Sequence, residues 1–293
     1  MKHIVIFGPT AIGKTSLSIK LARHLDTEII SADSAQVYKK LNIGTAKISK
    51  EEMKGIKHHL IDVVEPCTKF DVAKFVNFGS VILENLENKN RQAIIVGGTG
   101  LYIKALSDGL VDLPADSNLR SQLESQDAQY LHDRLQEVDS NYAERVPPNN
   151  KRRVVRALEV FELTGKPFSY LHSFSKSKFS FHKFALTRDR EEIYKNINKR
   201  TDIMMKKGLL EEAKKIYEEY KHCLDEINII GYKELFSYLK GELTLQEAID
   251  LIKKNSRNYA KRQITWMKAN NFDVIDVDKI DPLKYILNKV DRS

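Results

Sequence analysis

Ile4-Val5-Ile6-Phe7-Gly8-Pro9-Thr10-Ala11-Ile12-Gly13-Lys14-Thr15 is a short apolar run followed at once by a complete G-x-x-x-x-G-K-[ST] phosphate loop. The apolar residues read as a strand and the residues after the loop as a helix, the setting in which such loops work. Glycines let backbone N–H groups close around phosphate oxygens, and the helix start adds the positive end of its dipole. Lys14 brings a full charge, and the Thr15 hydroxyl can ligate Mg²⁺. The chain therefore handles a phosphorylated ligand; the loop alone leaves open which one and what is done to it.

Working outward, short β-rich runs alternate with helical stretches. Strands are expected at 4–7, 28–32, 59–64 and 93–96, with helices at about 14–25 and 72–87. This alternation predicts an α/β fold: a P-loop-type, doubly wound parallel sheet whose ligands lie at the carboxyl ends of the strands. Three strands deliver polar or glycine residues there, namely the phosphate loop, Asp33-Ser34 and Gly97-Gly98-Thr99-Gly100. From Asp112 the pattern turns helical and more polar, with breaks at Pro114, Pro147 and Pro148 and a Lys/Ser/Phe-rich stretch over 169–181. Phe184-Ala185-Leu186 reads as a strand returning to the sheet. The expected division is a core domain of residues 1–111 and 181–293 carrying an inserted helical domain, 112–180. Helices follow at about 190–220 and 244–270, the latter opening on a Thr244-Leu245-Gln246-Glu247 capping box.

The chain has 293 residues, 42% of them hydrophobic, enough for one large α/β domain with a smaller one. No run approaches the apolar length of a membrane span, so a soluble cytoplasmic protein is the expectation. Cys67 and Cys223 stand far apart without partners at metal spacing, which fits a reducing compartment and speaks against zinc or a disulfide framework. The net charge of +8 is uneven: residues 145–200 hold 14 Lys/Arg against 5 Asp/Glu, whereas 111–144 lean acidic. Such a basic stretch suits either a solvated face or a nucleic-acid backbone.

A phosphoryl-transfer enzyme with this loop normally carries a second long apolar strand ending in an acidic Mg²⁺ ligand. Here 94–96 ends in Gly97-Gly98-Thr99, and Leu60-Ile61-Asp62 offers an acid after only a short apolar run. Asp33, at a strand end, either caps a turn through its carboxylate or serves as a general base beside the phosphates; the residues alone leave both open. Thr99 is a loop hydroxyl or a donor to a leaving group's oxygen. His58 and His59 point to opposite sides of an extended chain and make a poor shared metal site. In Lys151-Arg152-Arg153-Val154-Val155-Arg156 the cations Arg152 and Arg156 lie one helical turn apart. The segment from Arg257 to Trp266 mixes cations and aromatics at helical spacing, with Trp266 read as packing ahead of base stacking.

Together these strings resemble the tRNA dimethylallyltransferase (isopentenyltransferase) family. The resemblance rests on the phosphate loop, Asp33-Ser34-Ala35-Gln36-Val37-Tyr38, Gly44-Thr45-Ala46-Lys47, His58-His59-Leu60-Ile61-Asp62 and Gly97-Gly98-Thr99-Gly100-Leu101-Tyr102. It continues through Arg156-Ala157-Leu158-Glu159-Val160, Thr164-Gly165, Ile230-Gly231-Tyr232-Lys233-Glu234 and Arg257-Asn258-Tyr259-Ala260-Lys261-Arg262-Gln263. A phosphate loop alone is widespread, whereas this ordered set spans nearly the whole chain.

The resemblance implies transfer of a dimethylallyl group from its diphosphate to the exocyclic amine of the adenosine 3′-adjacent to the anticodon in tRNA, releasing diphosphate. It implies Asp33 as general base and Thr99 near the bridging oxygen. Diphosphate contacts would come from Gly8, Thr10, Ala11, Ile12, Gly13, Lys14 and Thr15, with Arg188 and Arg200 further candidates, and Mg²⁺ would sit on Thr15. Contacts to the tRNA anticodon stem-loop would come from Asp33, Ser34, Ala35, Gln36, Thr99, Arg120, Arg152, Arg153, Val154, Val155 and Arg156. A diphosphate that only departs also accounts for the missing second acidic strand. Ile12 and Asn196 depart from the family's usual small polar residue and arginine. Longer relatives carry a zinc-finger extension, and the chain looks like the compact bacterial form, expected as a monomer. The rival readings are a P-loop small-molecule kinase, a nucleotide-driven RNA-binding switch, and an adenylate isopentenyltransferase.

Overall fold

A computed structural model describes residues 1–111, 113–172 and 176–291. Asp112, where the insertion was expected to begin, and residues 173–175 of the Lys/Ser/Phe-rich stretch lie outside the described residues. The strands are β1 (Lys2–Phe7), β2 (Ile29–Ala32), β3 (His58–His59), β4 (Ile94–Gly97), β5 (Ser180–Thr187) and β6 (Asp273–Asp276). They form one parallel sheet in the order β3-β2-β4-β1-β5-β6. Helices cover both faces, so the central strands are apolar on both sides. Val5, Phe7, Ile30 and Ile95 enter a core with Phe75, Leu83 and Tyr102. Their neighbours Ile4, Ile6, Ile29 and Ile94 enter a second core with Leu17, Leu21 and Phe184.

Register decides where the ligand-facing residues emerge. Gly97 lies opposite both Phe7 and Ala32. The residues that follow, Gly8, Asp33 and Gly98, therefore leave the sheet side by side at its carboxyl edge, the common ligand edge of open α/β sheets.

By compactness the chain divides into two units, Met1–Ser107 with Phe179–Ser293, and Asp108–Lys178. The second is helical, with helices Ser117–Glu124, Ala128–Val138, Ser140–Ala143, Lys151–Thr164 and Phe168–His172 around Leu123, Leu131, Leu135, Val154, Val155 and Leu158. Its acidic lean has a local cause: Asp116, Asp127 and Asp139 are N-caps whose carboxylates accept the first free amides of three helices.

Four expectations need correction. The strand expected over 59–64 is the two-residue β3, because Leu60 (φ 61°) and Asp62 (φ 55°) are in the left-handed region and turn the chain out of the sheet. The helix expected over 190–220 is two, Arg190–Lys206 and Leu209–Glu219, parted at Gly208. Strand β6 and the helix Pro282–Val290 were not anticipated. Cys67 and Cys223 are not unpartnered: they form a disulfide with Cα atoms 6.0 Å apart across a sequence separation of 156. A ring nitrogen of His222 lies within 4.8 Å of both sulfurs.

Candidate active site

The phosphate loop runs from the end of β1 to the helix Lys14–His24. Gly13 at the N-cap has φ 99°, a left-handed conformation a side chain would resist, and it aims the helix's first amides back into the loop. Lys14 Nζ donates to the carbonyls of Gly8 and Pro9, each at 2.8 Å. An ammonium has three donors, so one remains for a ligand. Burial lowers the Lys14 pKa to about 8, opposed by the nearby Asp33 carboxylate and reinforced by Arg200.

Asp33 caps a turn, the first of the two roles the sequence left open. Its Oδ1 accepts from the amides of Ala35 (2.9 Å) and Gln36 (3.3 Å), which caps the turn after β2. Its second oxygen accepts no hydrogen bond among the described residues, and that oxygen is the one available to take a proton. Thr99 stands beside it: its Oγ1 accepts from Ser34 N at 3.0 Å and donates to Ser34 Oγ at 3.3 Å. Tyr259 donates its hydroxyl to Gly98 O at 3.2 Å. Burial, with the charge of Asp33, pushes its pKa up to about 12, which keeps it a neutral donor at physiological pH. Arg200 is also drawn in; burial lowers its pKa and Asp33 opposes the shift, leaving a guanidinium that stays charged.

Apart from Thr99, these groups line one cavity of about 850 Å³, with Thr10 to Thr15, Asp33 to Gln36, Gly97, Gly98, Arg200, Tyr259, Arg262 and Gln263 on its wall. His58 faces the same cavity, whereas His59 turns away to Glu28 at 2.6 Å, as expected for neighbours on an extended chain. Two residues escaped the sequence reading as site groups. Gln263, 4% exposed, accepts from Thr10 N at 3.1 Å and donates to Gly98 O at 2.9 Å. Glu212 accepts from the amides of Ile43 (2.9 Å) and Gly44 (3.2 Å), holding the loop that carries Gly44, Thr45 and Ala46 to the cavity wall. A buried amide four residues after Tyr259 was the one available signal for Gln263.

Of the residues expected around the diphosphate and the reacting atoms, Gly8, Thr99 and Arg188 are not on that wall. Arg188 grips Asp278 in a two-pronged pair, Nε to Oδ1 at 2.8 Å and Nη2 to Oδ1 at 2.7 Å, and is absent from the cavity wall. Gln36 lies on the wall but spends its amide on the carbonyls of Thr45 and Ala46, both at 3.3 Å. Trp266 packs on Phe7 at 4.8 Å between ring centres and on Phe272 at 5.6 Å, so it is core rather than a stacking platform.

In the helical unit, Val154 and Val155 are 0% and 1% exposed, which excludes contact of their side chains with tRNA. Arg120 and Arg156 converge on Glu159, whose side chain is fully buried, at 2.8 Å and 2.7 Å. Burial pushes the Glu159 carboxyl up, but hydrogen bonds from Arg156, Arg120 and Asp116 N outweigh it and hold the pKa below the usual range. Arg152 and Arg153 are exposed, on the same helix, with no ion-pair partner among the described residues.

The family model described as IPP transferase matches residues 36–270. The chain belongs to the IPP transferase family. It is 46% identical to the tRNA dimethylallyltransferase of Fusobacterium nucleatum, over 98% of this chain and 97% of that one. The counterpart from Halalkalibacterium halodurans is 44% identical, over 94% and 92% of the two chains. Among solved structures, the full-length tRNA isopentenylpyrophosphate transferase of Bacillus halodurans aligns with a TM-score of 0.73 at 42% identity, over 99% of this chain and 94% of that one. A eukaryotic dimethylallyltransferase acting on tRNA aligns with a TM-score of 0.83 at 30% identity, over 96% of this chain and 76% of that one.

Proposed function

We propose that this chain transfers a dimethylallyl group from dimethylallyl diphosphate to the exocyclic amine of the adenosine 3′-adjacent to the anticodon in tRNA, releasing diphosphate. The observation that carries this reading is the meeting of Lys14, Asp33 and Arg200 on one cavity wall at the carboxyl edge of the sheet, with Thr99 held behind that wall by Ser34. Family membership supports tRNA as the acceptor over free adenylate, and a prenyl donor over a kinase's ATP.

In this reading the adenosine nitrogen attacks the first carbon of the dimethylallyl group as the carbon–oxygen bond breaks, and the bonding electrons leave with diphosphate. The surplus proton on nitrogen passes to the unpartnered oxygen of Asp33. Loop amides, the third Lys14 proton and Arg200 meet the charge that grows on diphosphate. Thr99, positioned by Ser34 N, turns its single O–H from Ser34 Oγ toward the departing oxygen. The exposed Thr15 hydroxyl, on the cavity wall beside Lys14, is a hard oxygen donor that suits Mg²⁺ shared with a diphosphate. The ion would supply charge neutralisation there.

Arg152 and Arg153 are the helical unit's candidates for tRNA phosphates, with Arg120 and Arg156 holding that unit's shape instead. The protein works as a monomer in the cytoplasm in this reading. Among the described residues no helix is long and apolar enough to cross a membrane.

The test is transfer of label from dimethylallyl diphosphate to unmodified tRNA, with AMP and ATP run in parallel. Label in tRNA that is lost with Asp33→Asn supports the reading. Label in AMP alone moves the function to adenylate prenylation, and phosphate transfer from ATP moves it to a kinase.

A further inference from the structure

Gln263 lies on the helix Leu245–Lys268, more than two hundred residues from the loop it touches. Its carboxamide is used at both ends: Oε1 accepts from Thr10 N in the phosphate loop (3.1 Å) and Nε2 donates to Gly98 O after β4 (2.9 Å). The side chain is buried, and the space around it is closed: a Cβ added to Gly98 would stand 2.1 Å from Gln263 Nε2. Gly98 is followed by Thr99, and Thr10 opens the run of loop residues, Thr10 to Thr15, on the cavity wall. One amide therefore joins the donor loop to the loop carrying the hydroxyl at the reacting oxygen.

We infer that Gln263 is a positioning residue that sets the phosphate loop in its diphosphate-receiving form and ties that form to the placement of Thr99. The inference rests on the prenyl-transfer reading above for the identity of the donor, though not for the presence of a diphosphate site. The physical reason is donor bookkeeping. A phosphate loop works by presenting several amides inward, and the Thr10 amide points at Gln263 instead. Holding that amide outside the nest fixes the backbone so that the amides after it face the anion. Only an uncharged group with an acceptor at one end and a donor at the other fits between an N–H and a C=O. A carboxylate would satisfy Thr10 N but set its second oxygen against Gly98 O, and would bring negative charge toward the diphosphate.

Three variants test this: Gln263→Met, Gln263→Glu and Gly98→Ala. Each is measured for inorganic diphosphate affinity with Mg²⁺ by calorimetry, for KM and kcat with dimethylallyl diphosphate, and for tRNA affinity by filter binding. Gln263→Met and Gly98→Ala are expected to weaken diphosphate and raise the donor KM about tenfold or more, from loss of two buried hydrogen bonds, with tRNA affinity held within about twofold. Gln263→Glu is expected to show the same defect at neutral pH and to recover toward wild type as the pH falls. Protonation turns its carboxyl into an acceptor and a donor in the places the carboxamide occupied.

A diphosphate affinity unchanged in Gln263→Met overturns the inference. So does a pH profile of Gln263→Glu that runs parallel to wild type, or a loss confined to tRNA binding, which would mark Gln263 as a nucleic-acid contact. Should wild type bind diphosphate yet transfer nothing to tRNA while the variants lose diphosphate, the inference stands and the prenyl-transfer reading falls.

Discussion

The amide of Thr99 donates to the carbonyl of Ala32 at 3.1 Å, so Thr99 and the residue before Asp33 share one hydrogen bond. Asp33 and Thr99, the proton acceptor and leaving-group donor of the proposed reaction, are thus tied to each other by backbone at the sheet edge, independently of any side chain's rotamer. Bound geometry of this kind is what lets a positioned base and a positioned donor act together.

That link makes Gly97 intolerant of a side chain. A Cβ there would lie 2.0 Å from Ala32 O, a backbone atom that cannot swing aside. Gly97→Ala is expected to cost about 3 kcal/mol or to prevent folding, read as a lowered melting temperature together with loss of transfer.

Asp33→Asn and Asp33→Ala should separate the two duties of that carboxylate. Asparagine keeps an oxygen to accept from the amides of Ala35 and Gln36 but cannot take a proton. Its turnover is expected to fall about 10²- to 10⁴-fold with tRNA affinity unchanged, whereas alanine should lose both turnover and the turn. Single-turnover rates beside filter-binding constants check this; a fully active asparagine variant removes Asp33 as base.

Diphosphate binding should depend on pH through Lys14. With its pKa lowered to about 8, the free loop carries a neutral amine above that pH, and an arriving anion raises the pKa again. Below about 8 the lysine is already charged and binding is independent of its titration. Above it, binding takes up a proton and affinity falls as pH rises. Calorimetry of inorganic diphosphate in buffers of differing ionisation enthalpy, at about pH 7 and about pH 9, reads that uptake directly.

Glu159 should make the helical unit acid-sensitive. Its folded pKa is depressed, so its contribution is fully present above the ordinary glutamate value and is lost as pH falls through the folded one. Glu159→Ala leaves Arg120 and Arg156 without their shared partner. Since both guanidiniums are about a third exposed and partly hydrated, the expected loss is about 2–4 kcal/mol, measured by urea unfolding at neutral pH. The difference from wild type should shrink in acid.

Reduction of Cys67–Cys223 should lower the melting temperature, since a long loop closed by a disulfide is worth up to about 4–5 kcal/mol in the chain-entropy picture. Cys67→Ser is expected to match reduced wild type and to ignore dithiothreitol. An identical melt with and without reductant in wild type would mean that the pair contributes nothing.

What could be read without coordinates was local. The strand, loop and helix around Gly8 to Thr15 follow from periodicity and glycine placement, and the Thr244 capping box forms as its spacing predicts, with Thr244 N donating to Glu247 Oε2 at 2.8 Å. The misreadings share a cause: they depend on partners remote in sequence. Arg188 is spent on Asp278, Val154 and Val155 face a core that needs the helix Ala128–Val138 to exist, and Cys67 meets Cys223 only once the sheet has closed. Gln263 belongs with them, since nothing near it in sequence names Thr10 or Gly98. Helical spacing likewise shows that Arg156 shares a face with Arg152, but not that Glu159 and two backbone carbonyls claim it first.

The helical unit leaves and rejoins the chain at one point: Ser177 N donates to Asp108 O at 3.0 Å. Two ends that already touch can be bridged by a short linker at little entropic cost to the sheet. The unit is accordingly a cassette. A core with 108–178 replaced by a tight turn should still fold and hold diphosphate, and, with the unit contacting tRNA as proposed, exchanging cassettes between relatives offers a route to changing which RNA is served.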